Sequence, residues 1–201
     1  MGDSERYMKP FKAHDYPGVY RDLGIDLNKL GCVMLDVDVR DPVFTLSLED
    51  LKAMRPSDLY YAKNKDRFWI NGYNPSHITL LYGLLESGEA YSRYIHEILR
   101  DSEVEKLTVG SVGFFESPYE DEEYYCIVAH IDLGRSPGLL EAHQRLELLP
   151  HINTFPGYKA HMTLAYIKKD EEKRDEIVKM FSGKLVGTSL KAGALNLGGN
   201  K

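Results

Sequence analysis

Two short stretches of the chain, SHITLLYG from Ser76 to Gly83 and AHMTLAYI from Ala160 to Ile167, carry one unusual pattern. Each is apolar enough for a buried strand, yet a histidine stands near its start with a threonine two residues later. HITLLY and HMTLAY agree at His, Thr, Leu and Tyr. With seven histidines and six threonines in the chain, chance yields only about 0.2 such triplets. Side chains alternate across a strand, so His77 and Thr79 share one face, and His161 and Thr163 share the equivalent face. Ile78, Leu80 and Tyr82 are expected on the opposite side, toward a core under helices, as are Met162, Leu164 and Tyr166. The matched tyrosines then read as structural.

The surroundings of the two stretches repeat as well. Strand, short helix, loop, His-x-Thr strand, helix and strand run from about residue 31 to 117 and recur from about 118–123 to the C-terminus. GCVMLDVDV (31–39) and EYYCIVAHIDL (123–133) are the opening strands, with Cys32 and Cys126 at corresponding places. Helices are expected over 46–54, 86–101, 136–150 and 170–183. Ser136 would be the N-cap of the third, and Gly183 would end the fourth. The repeat predicts an α+β fold in a single two-lobed domain over 1–201. Residues 1–30 form an N-terminal arm, 31–117 lobe one and 118–201 lobe two. A pseudo-two-fold axis would give each lobe an antiparallel sheet and bring the two His-x-Thr strands into one central cleft.

With 201 residues and 43% hydrophobic composition the chain is large enough for such a core. A net charge of −6 disfavours long nucleic acid, which is bound through many phosphate contacts, but allows one small anion in a local basic pocket. No apolar run approaches the length of about 20 residues needed to cross a bilayer, and the polar N-terminus lacks a signal-peptide core. No membrane partner is expected. Two cysteines, each inside a predicted strand, suggest neither a disulfide framework nor a thiolate metal site. A reducing cytoplasm is the expected compartment.

Paired His-x-Thr motifs on strands of two similar lobes, 84 residues apart, resemble the 2H phosphoesterase superfamily. HITLLYG is most similar to phage-encoded anti-CBASS phosphodiesterases, which degrade the cyclic oligonucleotides that bacteria use as antiviral signals. The resemblance implies metal-independent cleavage of a 3′-5′ phosphodiester in a small cyclic di- or trinucleotide, with His77, Thr79, His161 and Thr163 catalytic. Two alternatives stand beside it: a 2′,3′-cyclic phosphodiesterase acting on RNA ends, and a non-catalytic nucleotide sponge. The residue types suit the chemistry. Imidazole titrates near neutrality, so one ring can take a proton and the other give one. Two threonine hydroxyls can donate to the non-bridging oxygens as their charge grows. No metal or other cofactor is expected.

YYAKNKDRFWINGY (60–73) interleaves cations with aromatics, as phosphates and stacked bases require. A solvated loop anchored by one Trp is the plainer account. Arg67, Trp69 and Tyr73, with Phe155 and Tyr158 before the second motif, are the substrate-binding candidates. His14, His96, His130, His143 and His151 have no matching threonine and are expected to be structural or on the surface. The acidic run Glu120–Glu123 reads as a solvated turn.

Overall fold

The computed structural model describes residues 30–38, 42–62, 65–66, 76–117, 123–153 and 157–199. Strand β1 (Gly31–Val37) is followed by a small hairpin of β2 (Tyr61–Ala62) and β3 (Lys65–Asp66). The remaining strands are β4 (His77–Leu84), β5 (Lys106–Glu116), β6 (Tyr124–Ile131), β7 (His161–Lys168) and β8 (Ser189–Gly199). The helices are α1 (Asp50–Ala53), α2 (Ser92–Ile98), α3 (Pro137–Leu146) and α4 (Glu171–Leu185). Apart from the hairpin, the strands close into a ring in the order β1-β4-β7-β6-β5-β8. Every pairing is antiparallel. The fold is thus α+β.

Exchanging β1 with β6, β4 with β7 and β5 with β8 leaves that cyclic order unchanged, which is the signature of the expected two-fold. The register repeats it. Cys32 faces Tyr82 and Val33 faces Leu81 in one half. Cys126 faces Tyr166 and Ile127 faces Ala165 in the other. The third strand of each half, however, pairs across the divide: β5 lies beside β6, and β8 beside β1. The sequence boundary near residue 117 is therefore not a boundary in space.

The core follows from alternation. Val33, Leu35 and Val37 of β1 and Tyr125, Ile127, Ala129 and Ile131 of β6 turn toward the helices. They meet Leu139, Ala142 and Leu146 of α3, and Ile177, Phe181 and Leu185 of α4, spaced one helical turn apart. Burying each of the larger side chains contributes about 1.5–3 kcal/mol. Because the helices pack on one face of the strands, the other face lines the inside of the ring.

Element ends differ from expectation for local reasons. Helix α2 starts late, and Tyr94, placed by periodicity in its apolar stripe, is 63% exposed. Ser136 does precede α3, but its buried hydroxyl accepts from the Thr108 N–H of β5 at 2.9 Å instead of capping the helix. Helix α4 runs through Gly183 to Leu185 and gives way at Gly187, which has φ +82°. It starts at Glu171, one residue later than expected, because Asp170 is its N-cap, with the Asp170 carboxylate accepting from the Lys173 N–H at 2.9 Å.

Candidate active site

Strands β4 and β7 meet through one antiparallel pair, Ile78 with Met162. Counting outward from it, His77 stands against Thr163 and Thr79 against His161. The Ser76 hydroxyl donates to the Thr163 carbonyl at 3.3 Å and fastens the two strands beside the pair. Ile78 and Met162 are fully buried, whereas His77 is exposed and Thr79, His161 and Thr163 are partly exposed. All four motif side chains therefore lie on the inner face, and the pseudo-two-fold axis runs between them.

The two histidines sit in unlike surroundings. The His161 Nδ1–H donates to the Lys159 carbonyl at 2.8 Å, because a carbonyl can only accept. The neutral ring then presents the lone pair of Nε2 to the site. Phe115 of β5 packs edge-on against His161, with ring centroids 4.9 Å apart. Burial pushes the His161 pKa down, the bond to Lys159 opposes this, and the charge of His77 lowers it further. That last influence places the two imidazoles within electrostatic reach of each other. Thr163 has the Cys126 thiol 3.6 Å from its hydroxyl.

Alternation fails in one respect. One extra residue interrupts the register between Val33/Met34 on β1 and Leu81/Thr79 on β4, and another between Ile127/Val128 on β6 and Ala165/Thr163 on β7. The bulged residues are Leu80 and Leu164, at equivalent positions. Beyond each bulge the faces swap. Tyr82 and Tyr166 therefore turn away from the helix-side core and join the histidines' face, with Tyr82 37% exposed. Tyr166 belongs to an inner-face aromatic group with Tyr60, Tyr124 and Phe115. Its ring meets Tyr124 edge-on at 5.4 Å, and Tyr124 meets Tyr60 at 4.9 Å.

The tentative binding residues fare differently. Tyr158 is tied into the fold beside β4. Its ring stacks on His143 at 3.8 Å and 9°, its hydroxyl donates to the Thr79 carbonyl at 3.1 Å, and burial pushes its pKa well up. His143 is structural as expected: its Nδ1–H donates to the Leu80 carbonyl at 2.7 Å. Arg67, Trp69, Tyr73, Phe155 and His14 lie outside the described residues.

Sequence reasoning passes over two residues. His130 stands directly across β6 from His161, with ring centroids 6.4 Å apart, and its ring also meets Phe115 edge-on at 5.8 Å. Asp36 occupies the equivalent position across β1 from His77. The signal for both was the matched cysteines: each residue lies four positions after Cys126 or Cys32. The cysteines themselves are packing residues on the inner face, and burial pushes the Cys32 thiol up.

No protein-family model and no curated protein matches the chain. Among solved structures it is similar to Usb1 of Kluyveromyces marxianus, at 12% identity over 87% of this chain and 99% of that one, with a TM-score of 0.49. The same protein with uridine monophosphate aligns at 13% identity, over 87% of this chain and 100% of that one, again with a TM-score of 0.49. A likeness this slight transfers no residue roles.

Among the described residues no three His, Cys, Asp or Glu side chains come together as metal ligands, and no helix is long and apolar enough to cross a membrane. The two motifs set two imidazoles and two threonine hydroxyls around one two-fold axis on the inner face. That set can take a proton, give a proton and donate hydrogen bonds to an anion between them.

Proposed function

We propose that this chain is a 2H-type phosphodiesterase that cleaves a small nucleotide without a metal ion. The observation that carries the reading is the single β4–β7 pair that sets His77 against Thr163 and Thr79 against His161 on one inner face. A phosphate on the axis would meet both hydroxyls, which donate to its non-bridging oxygens as charge develops. One imidazole removes a proton from a ribose 2′-hydroxyl or from water. The other gives a proton to the leaving oxygen. Proton transfer and charge stabilisation are thus both supplied by side chains. Binding alone would not need two proton carriers, which disfavours a sponge.

Tyr60 and Tyr166 on one half and Tyr82 on the other are at least partly exposed, and Tyr166 and Tyr82 lie on the inner face, offering flat apolar surface for nucleobases. Tyrosines lie on both sides of the axis, which favours a substrate carrying bases on both sides of the scissile phosphate. A cyclic di- or trinucleotide signal, as in phage evasion of CBASS immunity, is the first choice. Arg67, Trp69, Tyr73 and Phe155 are assigned to its phosphates and bases. The exposure of His77 and Tyr82 also suits an RNA terminus entering from that side, so 2′,3′-cyclic RNA ends are the second reading.

The test is incubation in EDTA with cyclic di- and trinucleotides, 2′,3′-cyclic mononucleotides and short RNAs ending in a 2′,3′-cyclic phosphate, read by mass spectrometry. Cleavage of a cyclic oligonucleotide is the expected result. Cleavage only of 2′,3′-cyclic ends replaces the first substrate with the second. Activity abolished by EDTA and restored by a divalent ion overturns the metal-free mechanism.

A further inference from the structure

The two halves of the site match at Cys32/Cys126, His77/His161, Thr79/Thr163 and Tyr82/Tyr166. They part at the residue directly across from each histidine. His77 has a carboxylate opposite it, Asp36 on β1. His161 has an imidazole opposite it, His130 on β6. Directly opposed side chains on antiparallel strands stand about 4.5–5.5 Å apart at Cβ, close enough for charge to be felt across the pair.

Asp36 lies between the buried Leu35 and Val37, so it projects from the opposite, inner face. Its Oδ1 is buried and accepts no hydrogen bond, an uncompensated acceptor on the side of the site where His77 sits. Asp38 follows it at the end of the strand and adds charge of the same sign. Thr163 and His161 of β7 also face His77. Around His161 the setting is the reverse: His130 from β6, the Phe115 ring from β5, the Lys159 carbonyl, and His77 from β4. No carboxylate is among them.

Building on the phosphodiesterase reading, we propose that Asp36 and His130 divide the labour between the two histidines. Asp36 holds His77 protonated, as the general acid that gives its proton to the leaving oxygen. His130 and Phe115 keep His161 neutral, as the general base whose Nε2 takes the proton of the attacking hydroxyl. After one turnover His77 is neutral and His161 protonated; exchange with water returns each proton to its starting place. Asp36 and His130 are positioning residues, acting through their neighbours. The lowered pKa of His161 is of the sign this scheme needs.

The experiment is the pH profile of kcat/KM for the parent, Asp36→Asn and His130→Gln, paired with NMR titration of the imidazoles. A general acid must be protonated, so its titration forms the alkaline limb; the base forms the acid limb. Asp36→Asn should move the alkaline limb down by about 1 pH unit and leave the acid limb in place. His130→Gln should move the acid limb up. In the titration His77 should lose its proton at a higher pH than His161, and that gap should shrink in Asp36→Asn. An alkaline limb and a His77 titration both unmoved by Asp36→Asn overturn the inference, as does movement of the acid limb instead. A parent that cleaves nothing in the panel overturns the phosphodiesterase reading, while the titration still decides whether Asp36 sets the charge of His77. Thermal unfolding confirms that each variant folds, and Asp36→Ser replaces Asp36→Asn if the amide disturbs the strand.

Discussion

The hydroxyl of Tyr158 donates to the carbonyl oxygen of Thr79 at 3.1 Å, tying the segment before β7 to the strand that carries His77. Tyr158→Phe removes that bond and keeps the stack on His143. The expected cost is about 1 kcal/mol of stability, read by urea unfolding, with KM unchanged. A rise in KM without loss of stability would mark Tyr158 as a substrate contact.

His161 should make stability depend on pH. Its folded pKa lies below the ordinary 6.5, so as pH falls the unfolded chain takes up this proton first. Stability is full above that value and declines as pH drops below it, until the folded group also titrates. Comparing urea unfolding of the parent and His161→Gln at pH 8 and pH 5 isolates the contribution. The parent should lose more on acidification than the variant. An equal loss in both means that burial does not disfavour the charged ring.

The motif side chains should matter to turnover more than to folding, since they line the inside of the ring. His77→Ala and His161→Ala should each lower kcat by about 10²–10⁴-fold. Thr163→Ala should lower it by about 10²-fold, as removal of one oxyanion donor does, with KM little changed. Near-normal kcat in either histidine variant would leave the pairing without a catalytic role.

Gly83 is the opposite case. It has φ +99°, and a Cβ there would sit 2.2 Å from the Ile152 carbonyl oxygen, which itself accompanies an Ile152 N–H bond to the Gly83 carbonyl at 2.8 Å. Gly83→Ala should cost about 3 kcal/mol or more, through backbone strain and a clash that no rotamer relieves. A thermal midpoint within a degree of the parent would show that the segment before β7 yields freely.

The repeat and its two-fold axis were legible because both are written in residue types at fixed spacing. His77, Thr79, His161 and Thr163 could be placed on one face from alternation alone. Tyr82 and Tyr166 could not, because a bulge inside an apolar run leaves no polar residue to mark the change of face. The adjacent apolar pairs Leu80–Leu81 and Leu164–Ala165, buried together, are its only local trace. His130 was passed over because matching by a neighbouring threonine looks along a strand, whereas its relation to His161 runs across two. The crossing of β5 and β8 is likewise a matter of pairing between distant segments, which periodicity does not report.

That crossing bears on what a shorter chain could do. Residues 31–117 hold β1 and β4 but lack β8, the strand that covers the other edge of β1, and they carry β5 with its main partner β6 missing. Such a fragment has an unpaired edge at each end and a matching segment to offer in return. Its natural resolution is a second copy that donates its own last strand, giving a domain-swapped dimer whose two His-x-Thr strands face each other at the join. With both halves in one polypeptide, the positions of Asp36 and His130 can differ as those of two identical subunits could not.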